Sequence, residues 1–257
     1  RVVLHPRPRR LLAHIARPPL RSAPMTRRAL FVALALLVPA AVSAQHAPRA
    51  VRAVGLDEGP VMAVIRRVAA RLRTTRYVHS THIVESEGRF DWDCSGMAAW
   101  VLARATPRAH ATVMAHNGRG RPVASDYHDV IAAAPVDRAR DGWVRLRNAA
   151  ELRPGDVIAW RRPPTVASRN TGHVAFVAEA PRRLDREGRR WSVRIVDSTS
   201  IPHGDDTRPR AHRSGFGYGT IVVHYDDPRG EATGYGWYGL PTRLDFRTHL
   251  ALGRAVR

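Results

Sequence analysis

The side chain with the most distinctive chemistry in this sequence is Cys94, the only cysteine among 257 residues. It lies in Asp93-Cys94-Ser95-Gly96, which predicts the start of a helix with Asp93 as its N-cap. A lone cysteine cannot form a disulfide within its own chain. The N–H groups and dipole at a helix start favour a thiolate over a thiol. The pattern therefore predicts a nucleophile, and the alternative is a buried cysteine that acts as a small apolar side chain.

A thiolate nucleophile also needs a base and a group that orients the base. Among 13 histidines, His173 stands near the start of an apolar stretch, residues 173–178, that predicts a strand. A second predicted strand, residues 191–197, ends in Asp197. An antiparallel hairpin with His173 opposite Asp197 would place both side chains on one face. That register also pairs Ala175 with Ile195 and Val177 with Val193. The alternatives are a histidine that merely ends a strand and an aspartate that starts a turn.

Helices precede strands along the chain. Gly59-Pro60 opens a predicted helix, and a second runs from Cys94 to Ala105, where Thr106-Pro107 ends it. Residues 107–150 are hard to assign, apart from a weak helix over 127–134. The predicted strands are 156–160, 173–178, 191–197 and 220–225. Helices followed by consecutive strands indicate an α+β structure with an antiparallel sheet.

Residues 25–44 have the organisation of an export signal. A positive segment at Met25 to Arg28 is followed by an apolar run, Ala29 to Val38, and by Val42-Ser43-Ala44 before Gln45. The apolar run is short for a membrane span. We expect cleavage near Gln45, no stable membrane span afterwards, and a secreted or periplasmic protein.

The remaining boundaries follow from this signal. Residues 1–24 are interpreted as upstream sequence translated in frame, 45–55 as a flexible mature N-terminus, and 56–250 as a single domain. The net charge is +20, and residues 1–44 hold eight arginines and no acid, so residues 45–257 carry +12. The chain contains no lysine, and its Ala, Arg, Pro and Gly usage suggests a GC-rich coding bias. The charge is therefore poor evidence for nucleic acid binding, and we expect none, although it suits an anionic envelope.

Three segments of the chain resemble a known family. They are Asp93 to Met97, Leu152 to Trp160 and Gly172 to Val177. Their order and spacing are similar to those of the NlpC-type cell-wall peptidases, a papain-like family of bacterial cysteine hydrolases. The resemblance covers about residues 56–225. It implies an α+β, papain-like fold, in which N-terminal helices, one of them starting at the cysteine, pack on a small antiparallel β-sheet.

The resemblance also implies roles for individual residues. Cys94 would attack a peptide bond, His173 would be the base, and Asp197 would orient the histidine. A tyrosine upstream of the cysteine helps to build the site in that family, and Tyr77 is the matching residue. We also expect Asp93 and Ser95 to contribute to substrate binding or to the oxyanion hole. The chain departs from the family in its long interval between Tyr77 and the cysteine, and in the absence of a Gly-Gly pair there.

The sequence thus predicts an exported cysteine peptidase or amidase that cleaves amide bonds in peptidoglycan stem peptides. An acyltransferase with the same site and a non-catalytic envelope-binding domain are the alternatives. His79 and His82 have a spacing seen in metal sites, but no convincing set of further ligands accompanies them, so we expect neither metal nor cofactor. Residues 198–219 form a long polar loop directly after Asp197, which could wall the cleft. The sequence does not indicate an oligomeric state.

Overall fold

The computed structural model describes residues 59–208, 214–237 and 245–257, all within the unit Ala53–Arg257. The predicted upstream segment 1–24, signal segment 25–44 and mature N-terminus 45–55 lie outside the described residues. The α-helices of the described part are α1 (Pro60–Arg71), α2 (Cys94–Ala105), α3 (Pro107–Asn117) and α4 (Ala124–Ala133). Within the described ranges, no helix has the length and apolar character needed to cross a membrane.

Two sheets accompany the helices. A three-stranded sheet, in the order β1-β3-β2, lies between α1 and α2 in the sequence; it consists of β1 (Thr74–Arg76), β2 (His82–Val84) and β3 (Arg89–Asp91). The larger sheet contains β4 (Trp143–Leu146), β5 (Val157–Arg161), β6 (Gly172–Val177), β7 (Arg182–Arg183), β8 (Arg190–Thr199), β9 (Gly215–His224), β10 (Ala232–Trp237) and β11 (Asp245–Ala255).

Six strands of the larger sheet close into an antiparallel barrel. Their order is β10-β9-β8-β6-β5-β11, and β10 also pairs with β11, so both edges of the sheet are joined. Strand β4 adds to β11, and β7 adds to β8. The expected papain-like fold, with N-terminal helices on a small antiparallel sheet, is therefore wrong. Strands β10 and β11, which the sequence pattern did not predict, supply the closure.

Alternate strand residues divide between two apolar cores, because successive side chains point to opposite faces of a sheet. The barrel interior holds Ile158, Trp160, Ala175, Val177, Val193, Ile195, Ile221, Val223, Tyr235, Trp237, Leu250 and Leu252. The outer face packs Val157, Ala159, Val174, Phe176, Val196 and Ala251 against the helices. The Gly–aromatic segments after residue 215 contribute Phe216, Tyr235 and Trp237 to these buried clusters.

The helices form where local signals favour them. Helix α1 has Pro60 at its first turn and buries one apolar stripe. Helix α2 begins at Cys94 with Asp93 as its N-cap, as predicted. Pro107 ends α2, but it also occupies the first turn of α3, a helix that the sequence reading left unassigned. The weakly predicted helix near residue 127 is present as α4, shifted toward the N-terminus.

Candidate active site

Cys94 occupies the first turn of α2, where it is buried to 5% exposure. Asp93 caps the helix: its backbone is extended, and its Oδ1 accepts a 2.7 Å hydrogen bond from the Gly96 N–H and a 2.9 Å bond from the Ser95 hydroxyl. A Cβ at Gly96 would collide with the Thr81 hydroxyl, so glycine is required for the loop after β1 to pack here. The helix start thus presents the sulfur beside backbone N–H groups, an arrangement that suits an oxyanion.

His173 lies near the start of β6, and its ring contacts both Cys94 and Asp197. Its Nε2–H donates a 2.7 Å hydrogen bond to Asp197 Oδ2, and the side chain also forms a hydrogen bond with the Cys94 thiol. Since Nε2 faces the carboxylate, Nδ1 is the nitrogen left for the sulfur. The ring packs between Trp160 and Trp237, with centroids 5.0 and 6.1 Å away. The structure therefore brings Cys94, His173 and Asp197 together in one hydrogen-bonded chain.

The electrostatic surroundings of the Cys94–His173–Asp197 group favour the protonated form of His173. Burial by itself would lower the pKa of His173, but the negative charge of a Cys94 thiolate and the hydrogen bonds with Asp197 and Cys94 raise it to about 10. A raised imidazole pKa and a thiolate stabilise each other as an ion pair. The site therefore places a protonated histidine beside the candidate cysteine nucleophile.

Asp197 stands on β8 with no exposed surface. Its Oδ2 accepts from His173 and, at 3.3 Å, from Nε2 of His203, and its Oδ1 accepts from Arg208 at 2.5 Å. Burial would raise the pKa of this carboxyl, but the positive charges of His203 and Arg208 and the two imidazole hydrogen bonds hold it well below its usual range. Asp197 is therefore an ionised partner for His173.

The predicted hairpin register is wrong by two residues. Strand β6 pairs Phe176 with Val196 and Val177 with Ile195, rather than Val177 with Val193. A shift of two residues keeps each side chain on the same face, whereas a shift of one would have reversed it. His173 and Asp197 therefore remain on one face and meet across a diagonal instead of directly opposite each other.

Tyr77 lies at the mouth of the site. Burial, together with the negative charges of Cys94 and Asp93, raises its pKa, so the hydroxyl stays protonated and can donate a hydrogen bond. Its backbone N–H is held at 2.9 Å by the Ser214 hydroxyl. Ser95, by contrast, is buried with its hydroxyl donated to Asp93, so its side chain contributes to the helix cap.

A cleft of about 260 Å³ opens beside Cys94. It is lined by Tyr77, His79, Asp93, Cys94, Ser95, Arg121, Val123, Ala124, Arg169, Asn170, Thr171 and Gly172. Asp93 Oδ2 contacts two of the basic side chains, Arg121 at 2.5 Å and His79 at 3.2 Å. Burial opposes ionisation of Asp93, but hydrogen bonds from Arg121 and Gly96 lower its pKa. Arg169 has no ion pair or hydrogen bond with another described residue.

The candidate metal ligands do not form a site. His79 pairs with Asp93, while His82 is exposed on β2. Among the described residues, no group of three or more His, Cys, Asp or Glu side chains is arranged to hold a metal ion.

Sequence reasoning missed two residues of the site, His203 and Arg208. Both side chains lie in the loop after β8, and neither has exposed surface. The sequence indicates only that this loop could wall the cleft; in the structure these two side chains contact the buried carboxylate of Asp197. The sequence did contain one indication of this arrangement. Gly217 and Gly219 lie two residues apart on one face of β9, and their lack of side chains leaves space for His203 and Arg208.

The comparisons with known proteins give little beyond this geometry. No family model matches the chain, and no solved structure matches it. The chain is similar to an uncharacterized protein, R653, of Acanthamoeba polyphaga mimivirus, with 29% identity over 160 residues. The matched part is 56% of this chain and 67% of the viral protein.

Proposed function

We propose that this protein is an exported cysteine hydrolase that cleaves amide bonds in peptidoglycan stem peptides. The observation that carries the proposal is the hydrogen-bonded chain Cys94–His173–Asp197 beside an open cleft. A thiol, an imidazole and a carboxylate in this order are the parts of a nucleophile, a general base and an orienting group.

Acylation begins with attack of the Cys94 thiolate on the amide carbonyl carbon. The electron pair of the carbonyl moves to its oxygen, and N–H groups at the start of α2 stabilise that charge. The Tyr77 hydroxyl, which stays protonated, is a further donor at the cleft. As the tetrahedral intermediate collapses, the His173 imidazolium gives its Nδ1 proton to the departing amine. A thioester with Cys94 and a neutral imidazole remain.

Deacylation uses the same groups in reverse. Neutral His173 removes a proton from a water molecule, and the resulting hydroxide attacks the thioester carbonyl. The carbon–sulfur bond breaks, the carboxylic acid product leaves, and the thiolate–imidazolium pair is restored. Asp197 keeps the Nε2–H of His173 in place throughout, so Nδ1 stays directed at the sulfur.

The charge of the cleft supports an acidic substrate. Arg121, Arg169 and His79 line it, and the one lining carboxylate, Asp93, is occupied by the helix start, Arg121 and His79. Stem peptides carry free carboxylates, which a guanidinium binds well. The resemblance of the motifs around Cys94 and His173 to those of the NlpC-type peptidases points to the same substrate class. The signal-like segment before Gln45 supports a secreted or periplasmic location.

The test is digestion of purified muropeptides by the protein starting at Gln45, with products identified by mass and by new amino groups. We expect turnover by the wild type and none by Cys94→Ala. His173→Ala and the double variant should be about equally inactive, because members of a catalytic unit are not additive. A matched control is His116→Ala, which changes an exposed histidine on α3 that, among the described residues, pairs only with Asp129 at 3.8 Å.

Two results would contradict the proposal. Undiminished turnover by Cys94→Ala would show that Cys94 is not the nucleophile. No turnover by the wild type on any muropeptide would favour acyl transfer, detectable with an added amine acceptor, or a non-catalytic envelope-binding domain.

A further inference from the structure

Part of the segment 200–208, which follows β8, packs against the site. Two of its side chains, His203 and Arg208, are completely buried, although both can carry a positive charge. Burying charge is costly unless it is paired and hydrogen-bonded. The partners of these two side chains therefore indicate what the loop does.

Arg208 is engaged along the whole edge of its guanidinium. Nη2 donates to Asp197 Oδ1 at 2.5 Å and to the Asp197 carbonyl oxygen at 2.8 Å. Nε donates to the Gly215 carbonyl at 2.7 Å, and Nη1 donates to Asp206 at 2.8 Å. The planar fork thus fixes both the carboxylate and the backbone of Asp197, which an ammonium group could not do with the same geometry.

His203 reaches the same carboxylate from another side. Its Nε2 lies 3.3 Å from Asp197 Oδ2, and its Nδ1 lies 3.3 Å from the Thr220 carbonyl oxygen. The ring stacks edge-on against Trp237 with centroids 4.4 Å apart. The ring is therefore fixed between the Asp197 carboxylate and the Thr220 carbonyl oxygen.

The barrel wall is shaped for these two side chains. A Cβ at Gly217 would collide with Arg208, and a Cβ at Gly219 would collide with the His203 ring. Both glycines face the same side of β9, since they are two residues apart. Glycine weakens a strand and leaves no side chain to pack, so the pair needs a reason in the structure. Accommodation of His203 and Arg208 supplies that reason.

We propose that His203 and Arg208 are positioning residues, which hold Asp197 ionised and immobile and thereby keep His173 aligned on Cys94. The catalytic meaning of this alignment rests on the proposed function. The alignment itself can be measured without any substrate, because it governs the reactivity of the thiol.

The experiment is the rate of Cys94 alkylation by iodoacetamide between pH 5 and 9, in the protein starting at Gln45. In Arg208→Gln the Asp197 carboxylate loses the guanidinium that fixes it, so the hydrogen bond that holds the His173 proton in place is weakened. We expect the rise of the alkylation rate with pH to shift to higher pH by about one unit. At a given pH on that rise, alkylation should then be about tenfold slower than in the wild type. Arg208→Lys keeps the positive charge but lacks the planar guanidinium, so its rate profile should lie between those of the wild type and Arg208→Gln.

The control is Arg194→Gln. Arg194 holds the same loop through Asp205 at 2.5 Å but forms no hydrogen bond or ion pair with Asp197, and Asp205 keeps its bonds to Thr220. We expect the profile of this control to match the wild type. On muropeptides, Arg208→Gln should lower kcat with little change in KM, because the substrate cleft does not include Arg208.

An unshifted profile in a folded Arg208→Gln protein, judged by circular dichroism, would overturn the inference. If that variant does not fold, His203→Gln carries the test, since it keeps a polar side chain and leaves the arginine in place. A wild-type profile in His203→Gln would then overturn the inference. A shifted profile in a protein that hydrolyses no muropeptide would leave the positioning role standing and refute only the peptidase.

Discussion

Replacing the buried carboxylate of Asp197 by an amide should destabilise the fold far more than replacing a matched carboxylate at the surface. In Asp197→Asn, the buried Arg208 loses its counter-charge, and His203 loses the carboxylate that it also contacts. Removal of one partner from a buried ion pair costs about 3–5 kcal/mol. Domains are stable by about 5–15 kcal/mol, so this is a large part of the total. For a domain of about 150–250 residues, it corresponds to a fall in Tm of about 6–20 °C.

The assay is thermal unfolding at pH 7, followed by circular dichroism and calorimetry. The control is Asp226→Asn, which removes an aspartate that pairs with Arg247 at 2.6 Å on the surface. Exposed pairs of this kind contribute little, because water and salt screen them. Equal shifts in Tm for the two variants would refute the reasoning that the cluster around Asp197 is electrostatically coupled to folding.

The same prediction has a pH dependence with a definite sign. The pKa of Asp197 is lowered by folding, from an ordinary value of 3.8, so the unfolded chain binds its proton more readily. The stabilisation is therefore present above pH 3.8 and is lost as the pH falls below it. We expect the Tm difference between wild type and Asp197→Asn to shrink below about pH 4. A difference that is unchanged down to pH 2.5 would contradict the assigned ionisation.

Three further predictions concern the site and the N-terminus. In Cys94→Ala, His173 should lose its proton at lower pH than in the wild type, because the thiolate charge is the largest influence that raises its pKa; NMR titration of the ring measures this, and an unchanged titration would contradict it. Arg169→Gln should raise the KM for carboxylate-bearing muropeptides several-fold, which corresponds to a loss of about 1 kcal/mol of binding free energy, and should leave kcat unchanged. The control is Arg182→Gln, which lies on β7 and does not line the cleft. Equal KM values for the two variants would show that Arg169 does not bind the substrate. Mass spectrometry of the native protein should find an N-terminus near Gln45, and a retained signal segment would argue for an anchored enzyme.

Local chemistry in the sequence was enough to predict the helix that carries Cys94. Asp93 offers a cap within three residues of the N–H it binds, and Pro107 ends the helix, so both ends are determined by near neighbours. Four strands were also predicted near their observed positions, because alternating or continuous apolar runs bounded by turn residues are local patterns. The face shared by His173 and Asp197 was predicted from that alternation and from a pairing that differs from the observed one by an even number of residues.

The tertiary structure decided what depends on distant residues. Strand β10, with the sequence Ala-Thr-Gly-Tyr-Gly-Trp, has a weak strand pattern, and it becomes a strand through pairing with β9 and β11. Barrel closure and the two-residue change of register therefore had no local signal, since strand pairing depends on contacts across the sheet. His203 and Arg208 belong to a polar loop whose sequence reads as a surface segment. Only the space above Gly217 and Gly219, and the buried charge of Asp197, determine that these two side chains lie inside the protein.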